Sequence, residues 1–208
     1  MTPYKNQVRI IGGTHKRRIV RFPGMAEMEG VPGFRPTPDR VRETLFNWLG
    51  QDLLGKRCLD VFAGSGALAF EAASRNATQV IAVESSRVAA QAMAQNQKLL
   101  DLPNFKIINT DAFAFLASTP DQFDVIFLDP PFAQNWWERL APLLTHVAAP
   151  EALVYCEFAR ELKDLPGFTR TRHGRAGVVH YHLFAASSTA PNAMPAGPAS
   201  ATTATTGE

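Results

Sequence analysis

The chain has 208 residues, 46% of them hydrophobic and 19% charged, which suits one globular domain with short extras rather than a chain too polar to bury a core. Its longest apolar runs fall short of the roughly 18 residues that a membrane span requires, so no membrane partner is expected. The net charge is only +2, but residues 1–43 hold nine Lys/Arg against four acids, and Arg170, Arg172 and Arg175 lie between Leu165 and Phe184 without any acid.

Residues 1–36 read as a basic β-hairpin or arm, with Gly12-Gly13 as a turn. They lack the apolar core of a secretory signal, and a cytoplasmic monomer is the expectation. Thr37 as N-cap and Pro38 at the first helical position start a helix that Gly50 ends, with Val41, Leu45 and Trp48 on one face. From Arg57 onward strand and helix patterns alternate: strand 57–63, helix 67–75, strand 79–83, and a helix over 86–100 capped by Ser85 or Ser86. Strand 105–109, a short helix near 112–117, strand 123–128, helix 135–146 and strand 152–158 continue the pattern. Such alternation predicts an α/β, Rossmann-like domain over residues 37–184, its sheet mostly parallel with helices on both faces. Two final runs, 168–172 and 178–184, have no helix between them and predict a C-terminal antiparallel hairpin turning at 173–177, for seven strands in all. Residues 185–208 are rich in Ala, Ser, Thr, Pro and Gly and read as a disordered tail. Cys58 and Cys156 sit in apolar strand patterns, without metal spacing, and read as buried reduced thiols.

Chemistry concentrates at the ends of these strands. In Asp60-Val61-Phe62-Ala63-Gly64-Ser65-Gly66, a strand runs into a glycine turn whose backbone can approach a ligand and whose next helix offers free N–H groups. Glu84, about 20 residues further on, ends the second strand, where an acid can bind both ribose hydroxyls. Asp111 ends the third, where a carboxylate can accept from an adenine amino group. The third-glycine position of a dinucleotide fingerprint falls on Ala69, which that fingerprint also accepts, so it is the C-terminal hairpin and the corner after the fourth strand that move the cofactor reading from NAD to S-adenosylmethionine. After the fourth strand come Asp129-Pro130-Pro131-Phe132. Neither proline has an N–H, so this corner offers a carboxylate and carbonyl acceptors beside an aromatic face, a grip for the amino group of a planar base. A rigid loop after a core strand is the bland alternative. Trp136 and Trp137 follow, and core packing of at least one is expected. Five histidines show neither metal spacing nor a nucleophile partner, so no metal is expected.

These features together resemble class I S-adenosylmethionine-dependent methyltransferases that act on amines. More closely, the runs Arg9–Gly13, Arg35-Pro36-Thr37, Arg40–Leu49, Asp60–Ala72 and Asp129–Phe132 resemble the RsmD family of 16S rRNA guanine-N2 methyltransferases, over roughly residues 8–184. The resemblance implies a cofactor site of Asp60, Ala63, Gly64, Ser65, Gly66, Glu84, Asp111 and Ala112. Within it the glycine turn would hold the methionine part, Glu84 the ribose, and Asp111 with the Ala112 backbone the adenine. It implies a catalytic corner of Asp129, Pro130, Pro131 and Phe132, with Phe132 stacked on an extruded guanine. It also implies 16S rRNA, in the small subunit or an assembly intermediate, as partner; Arg9, His15, Lys16, Arg17, Arg18, Arg35 and Arg40 are the candidate RNA contacts. Three alternatives stay open at this point. A DNA adenine-N6 methyltransferase fits the corner alone, an NAD-dependent oxidoreductase fits the glycine turn alone, and a methyltransferase-like RNA-binding factor without activity fits the charge.

Overall fold

A computed structural model describes residues 6–23, 36–130 and 136–187. Arg35, Pro131, Phe132 and residues 188–208 of the predicted tail lie outside the described residues, as does the side chain of Trp136, while Ala185 and Ala186, assigned to that tail, continue the last strand. The sheet has seven strands, in the order β5-β4-β3-β6-β7-β9-β8. These are β3 (Arg57–Asp60), β4 (Gln79–Glu84), β5 (Phe105–Asn109), β6 (Phe123–Leu128), β7 (Ala148–Phe158), β8 (Phe168–Ala176) and β9 (Val179–Ala186). β5, β4, β3, β6 and β7 pair in parallel, while β9 pairs antiparallel with both β7 and β8. The predicted mostly parallel sheet with an antiparallel C-terminal hairpin is therefore the one observed.

Two apolar layers flank it, as the near-continuous apolar strands require. One contains Val41, Leu45 and Phe46 of α1 (Asp39–Leu49), the alanine-rich face of α2 (Ala67–Ser74) and Met93 of α3 (Arg87–Leu100). The other contains Phe113, Phe115 and Leu116 of α4 (Ala112–Ser118) with Leu140 and Leu144 of α5 (Trp136–Val147). Both cysteines are free and buried, and burial pushes their thiols up so that they stay protonated. Trp137 packs edge-on against Phe158, with ring centroids 5.5 Å apart. Among the described residues, no helix is long and apolar enough to cross a membrane.

Ahead of the sheet, β1 (Gln7–Arg9) and β2 (Ile19–Arg21) form an antiparallel pair. Val8, Ile10 and Val20 bury themselves in the same layer as α1, α2 and α3. Bonds from Ile10 N–H to Arg18 O and from Arg17 N–H to Ile10 O extend the hairpin toward its tip. Gly13, at φ +72°, comes so close to α2 that a Cβ there would sit 1.8 Å from the Ser74 carbonyl oxygen, so only glycine fits. Thr14 N–H bonds that same carbonyl at 2.7 Å, and a His15 ring nitrogen lies 2.9 Å from the Leu100 carbonyl oxygen.

Two local expectations are corrected. α1 begins at Asp39 with Pro38 as its N-cap and no side-chain cap. Thr37 instead donates its hydroxyl to the buried carboxylate of Glu157 at 2.9 Å, a charge-assisted bond stronger than the one its oxygen would gain by accepting from an exposed helix amide. The last hairpin turns at Gly177-Val178 rather than over 173–177, so β8 runs four residues further than expected. β8 is the edge strand, and its exposed residues are polar on both faces, which erases the alternation that marks a strand end.

Candidate functional site

In a parallel sheet every strand ends on the same edge, so the acids at their ends converge. Glu84 and Asp60 end β4 and β3, Asp129 directly follows β6, and Glu157 is the penultimate residue of β7, all on adjacent strands. Leu128 pairs with Cys156 across β6 and β7, which brings Asp129 and Glu157 side by side, one strand spacing or about 4.8 Å apart along the sheet.

The glycine turn is built from backbone and one acid. Glu84 accepts from Gly64 N–H and from Ser86 N–H, both at 2.7 Å, and so ties the turn after β3 to the start of α3. A carboxylate has about four acceptor sites, so capacity remains for hydroxyl donors. Gly66 N–H closes the turn onto Ala63 O at 2.6 Å, and Ser65 is buried with its hydroxyl accepting from Ala67 N–H. Gly66 adopts φ +75°, and a Cβ there would stand 2.8 Å from the Phe70 ring and 3.0 Å from the Met93 sulfur. A side chain at that position would both strain the backbone and collide with these buried core groups, so the turn requires glycine. The third-glycine position is Ala69, a residue small enough for close packing of helix on sheet, and the next residue, Phe70, stacks on Phe105 at 4.4 Å. Ser86 caps α3, as predicted, by accepting from Ala89 N–H. Asp111 caps α4 in the same way through Ala114 N–H at 3.0 Å; it is exposed, while Ala112 beside it is buried.

Burial sets the electrostatics here. It pushes the Asp60 carboxyl up to about 7, against the pull of backbone amides at Ala69 and Phe62 and with added repulsion from Glu84 and Glu157. Asp129 also stands well above the usual carboxylate range, first from burial of its carboxyl group and then from the charges of Glu157 and Asp60. Glu157 is raised by burial too, but Thr37 and Tyr155 oppose this by donating their hydroxyls to its Oε1, each at 2.9 Å. Such a site holds excess negative charge at a cost and is suited to a cation, such as a sulfonium or an ammonium group. Among the described residues, no group of three or more His, Cys, Asp or Glu is arranged to hold a metal.

Glu157 was not among the residues singled out from the sequence. Within Tyr155-Cys156-Glu157-Phe158 it reads as the polar position of a strand end, and its two donors come from β7 itself and from a residue 120 positions earlier. The basic candidates scatter. Arg9 is exposed and pairs with Asp39 at 3.1 Å, Arg40 is exposed on the first turn of α1, and Lys16, Arg17 and Arg18 are exposed on the hairpin tip. That tip lies against the last residues of α2 and α3, the ends of those helices far from the glycine turn. His15 is half-buried there.

A family model described as Conserved hypothetical protein 95 matches residues 8–185. The ribosomal RNA small subunit methyltransferase D of Escherichia coli strain K12 is 40% identical over 183 residues, covering 86% of this chain and 89% of its own. Its namesake from Haemophilus influenzae is 38% identical over 188 residues, covering 86% of this chain and 94% of its own. Among solved structures, the E. coli protein yhhF aligns with a TM-score of 0.77 at 38% identity, over 88% of this chain and 99% of that one. On the extent of that match and the identity of these relatives, the chain belongs to the RsmD family of methyltransferases.

Proposed function

We propose that the protein transfers the methyl group of S-adenosylmethionine to the exocyclic N2 amine of one guanine in 16S rRNA, in the cytoplasm, on the small subunit or a precursor of it. One observation carries this reading: in a chain of this family, the Asp129-Pro130 corner opens on the same sheet edge as the glycine turn between Ala63 and Ala67. The residues present fit the cofactor. The glycines of the turn present backbone without side chains, Glu84 retains acceptor capacity for ribose, and the buried acids favour a cationic centre. Bound there, the cofactor supplies an electrophilic methyl group.

A guanine amine is a weak nucleophile because its lone pair is delocalised into the ring. Asp129 and the Pro130 carbonyl would accept its two N–H groups, which favours a pyramidal nitrogen with its lone pair aimed at the methyl group. As the N–C bond forms, the nitrogen must shed a proton. Asp129, whose proton affinity is raised by its surroundings, is placed to take it. Positioning and electrostatics carry the rate in this scheme. Phe132 would stack on the extruded base, offsetting with roughly 1–3 kcal/mol the few kcal/mol that unstacking costs.

Nucleoside mass spectrometry of rRNA from a strain lacking the protein tests the reading. The expected result is loss of N2-methylguanosine at one 16S position. An unchanged rRNA profile, with methyl transfer to duplex DNA in vitro, would establish the adenine-N6 alternative instead. Charge reversal at Lys16, Arg17 and Arg18 is expected to weaken RNA binding about tenfold and to reduce its salt dependence, with cofactor affinity unchanged in calorimetry. Equal loss of both would show that the hairpin tip is structural.

A further inference from the structure

The exposed cations of the N-terminal hairpin tip sit against the far ends of α2 and α3, yet a flipped nucleotide must enter at the opposite, carboxyl edge of the sheet. The β8–β9 hairpin places positive charge at that edge. β9 runs antiparallel to β7 and aligns His180 with Phe158, the last residue of β7; β8 then aligns Arg175 with His180, and Gly177-Val178 turns beyond them. Strand alternation puts Phe158, His180 and Arg175 on one face, the face covered by α4 and α5. Val178, at the turn, is 78% exposed.

The chemistry of this tip is one-signed. Arg172 and Arg175 each spend one N–H on a neighbouring backbone carbonyl, Thr171 O and Gly177 O, and neither has a carboxylate partner among the described residues. Arg160 lies over the Phe158 ring, 5.6 Å from its centroid. His173 and His180 stack in parallel at 5.3 Å, joined by a 3.0 Å contact between ring nitrogens. The acid near them, Glu161, is already paired with Arg170 at 2.7 Å. Cations interleaved with flat rings fit a single nucleic-acid strand, whose phosphates take the charge and whose bases take the rings.

We propose that the tip of the β8–β9 hairpin, with Arg175 and His180 beside Phe158 and Arg160 on one face and Arg172 on the other face of the edge strand, is a second RNA-contact surface that holds the strand flanking the target nucleotide. This rests on the reading of Asp129 as the amine-binding residue. From Asp129, β8 is three strand spacings away, about 14 Å, which corresponds to phosphates about two nucleotides from an extruded base.

The test is fluorescence-anisotropy binding of a protein-free small-subunit rRNA fragment to the full chain over a salt series, with cofactor calorimetry and methyl transfer on the same samples. The pair Arg172→Glu with Arg175→Glu is expected to weaken RNA binding at least tenfold at 150 mM salt. It should also flatten the log–log salt slope by roughly 1.4–1.8, the value for two lost phosphate contacts. Methyl transfer should show a raised KM for RNA with kcat and cofactor affinity nearly unchanged. The milder pair Arg172→Gln with Arg175→Gln, which removes the charge but keeps a side-chain N–H donor, should move the same quantities in the same direction. The proposal is overturned if the Gln pair binds RNA with wild-type affinity and slope, or if the loss appears only with assembled particles and not with free RNA. Failure of the wild-type chain to methylate rRNA at all would remove the parent reading, whereas wild-type methylation alongside unaffected variants removes only the hairpin.

Discussion

Replacing Asp129 by Ala should lower kcat for methyl transfer by about 10²–10³-fold, a far larger effect than the loss of cofactor affinity from removing one of the buried acids. That magnitude follows from deleting one preorganised group that acts on the developing charge of the transition state. Asp129→Asn keeps a carbonyl acceptor but cannot take the proton, and should fall between wild type and Ala. Single-turnover rates on rRNA measure both. The pH profile gives a second readout with a definite sign. A protonated Asp129 donates instead of accepting, so the wild-type rate should climb as pH rises through its elevated pKa and then level off. Glu157 raises that pKa as a like charge in the next strand, so Glu157→Gln should move the climb to lower pH, and Asp129→Asn should abolish it. An Asp129→Ala enzyme with wild-type kcat would sink the catalytic assignment whatever the substrate.

What was legible in the sequence follows from how local each signal is. The glycine turn, the Ser86 cap and the strand carrying Asp129 are each encoded within ten residues, and all stand where the pattern put them. Glu157 was not legible, because nothing beside it in sequence marks it; only the closing of the sheet brings Thr37 to its carboxylate. The same long-range contact explains the misplaced helix cap, since a Thr-Pro pair that suits a helix start is equally able to serve a distant acid. Arg42 makes the complementary case. It counts among the basic residues of the N-terminal segment, yet it is fully buried and contributes no surface charge. Local charge counts cannot separate a cation that meets solvent from one that the core has enclosed, so the basic ends point to a polyanion less directly than their sum suggests.

Arg42 belongs to the network for which the largest stability loss is expected. Glu71, in the middle of α2 and completely buried, accepts from Arg42 Nη1 at 3.0 Å, Arg75 Nε at 2.9 Å and Ile11 N–H at 2.9 Å. Arg42 further donates to Arg9 O, Thr37 O and Asp39, and Arg75 donates to Gln51 while lying 4.6 Å from the centroid of the Phe46 ring. One carboxylate therefore joins the N-terminal hairpin, α1 and the helix that follows the glycine turn. Glu71→Ala leaves the buried Arg75 guanidinium without a counter-ion and Arg42 with only the half-exposed Asp39, and should destabilise the fold by about 3–5 kcal/mol in urea unfolding. At about 2–4 °C per kcal/mol for a chain of this size, that corresponds to a melting point lower by roughly 6–20 °C. The desolvation argument makes a sharper demand. Replacing the whole triad by apolar residues of similar volume (Arg42→Met, Glu71→Leu, Arg75→Met) removes the charges along with their attraction, so it should cost less than Glu71→Ala alone. A triple variant as unstable as the single one would mean that the hydrogen bonds to Arg9, Thr37 and Ile11, rather than the buried charge, hold the hairpin and α1 against α2.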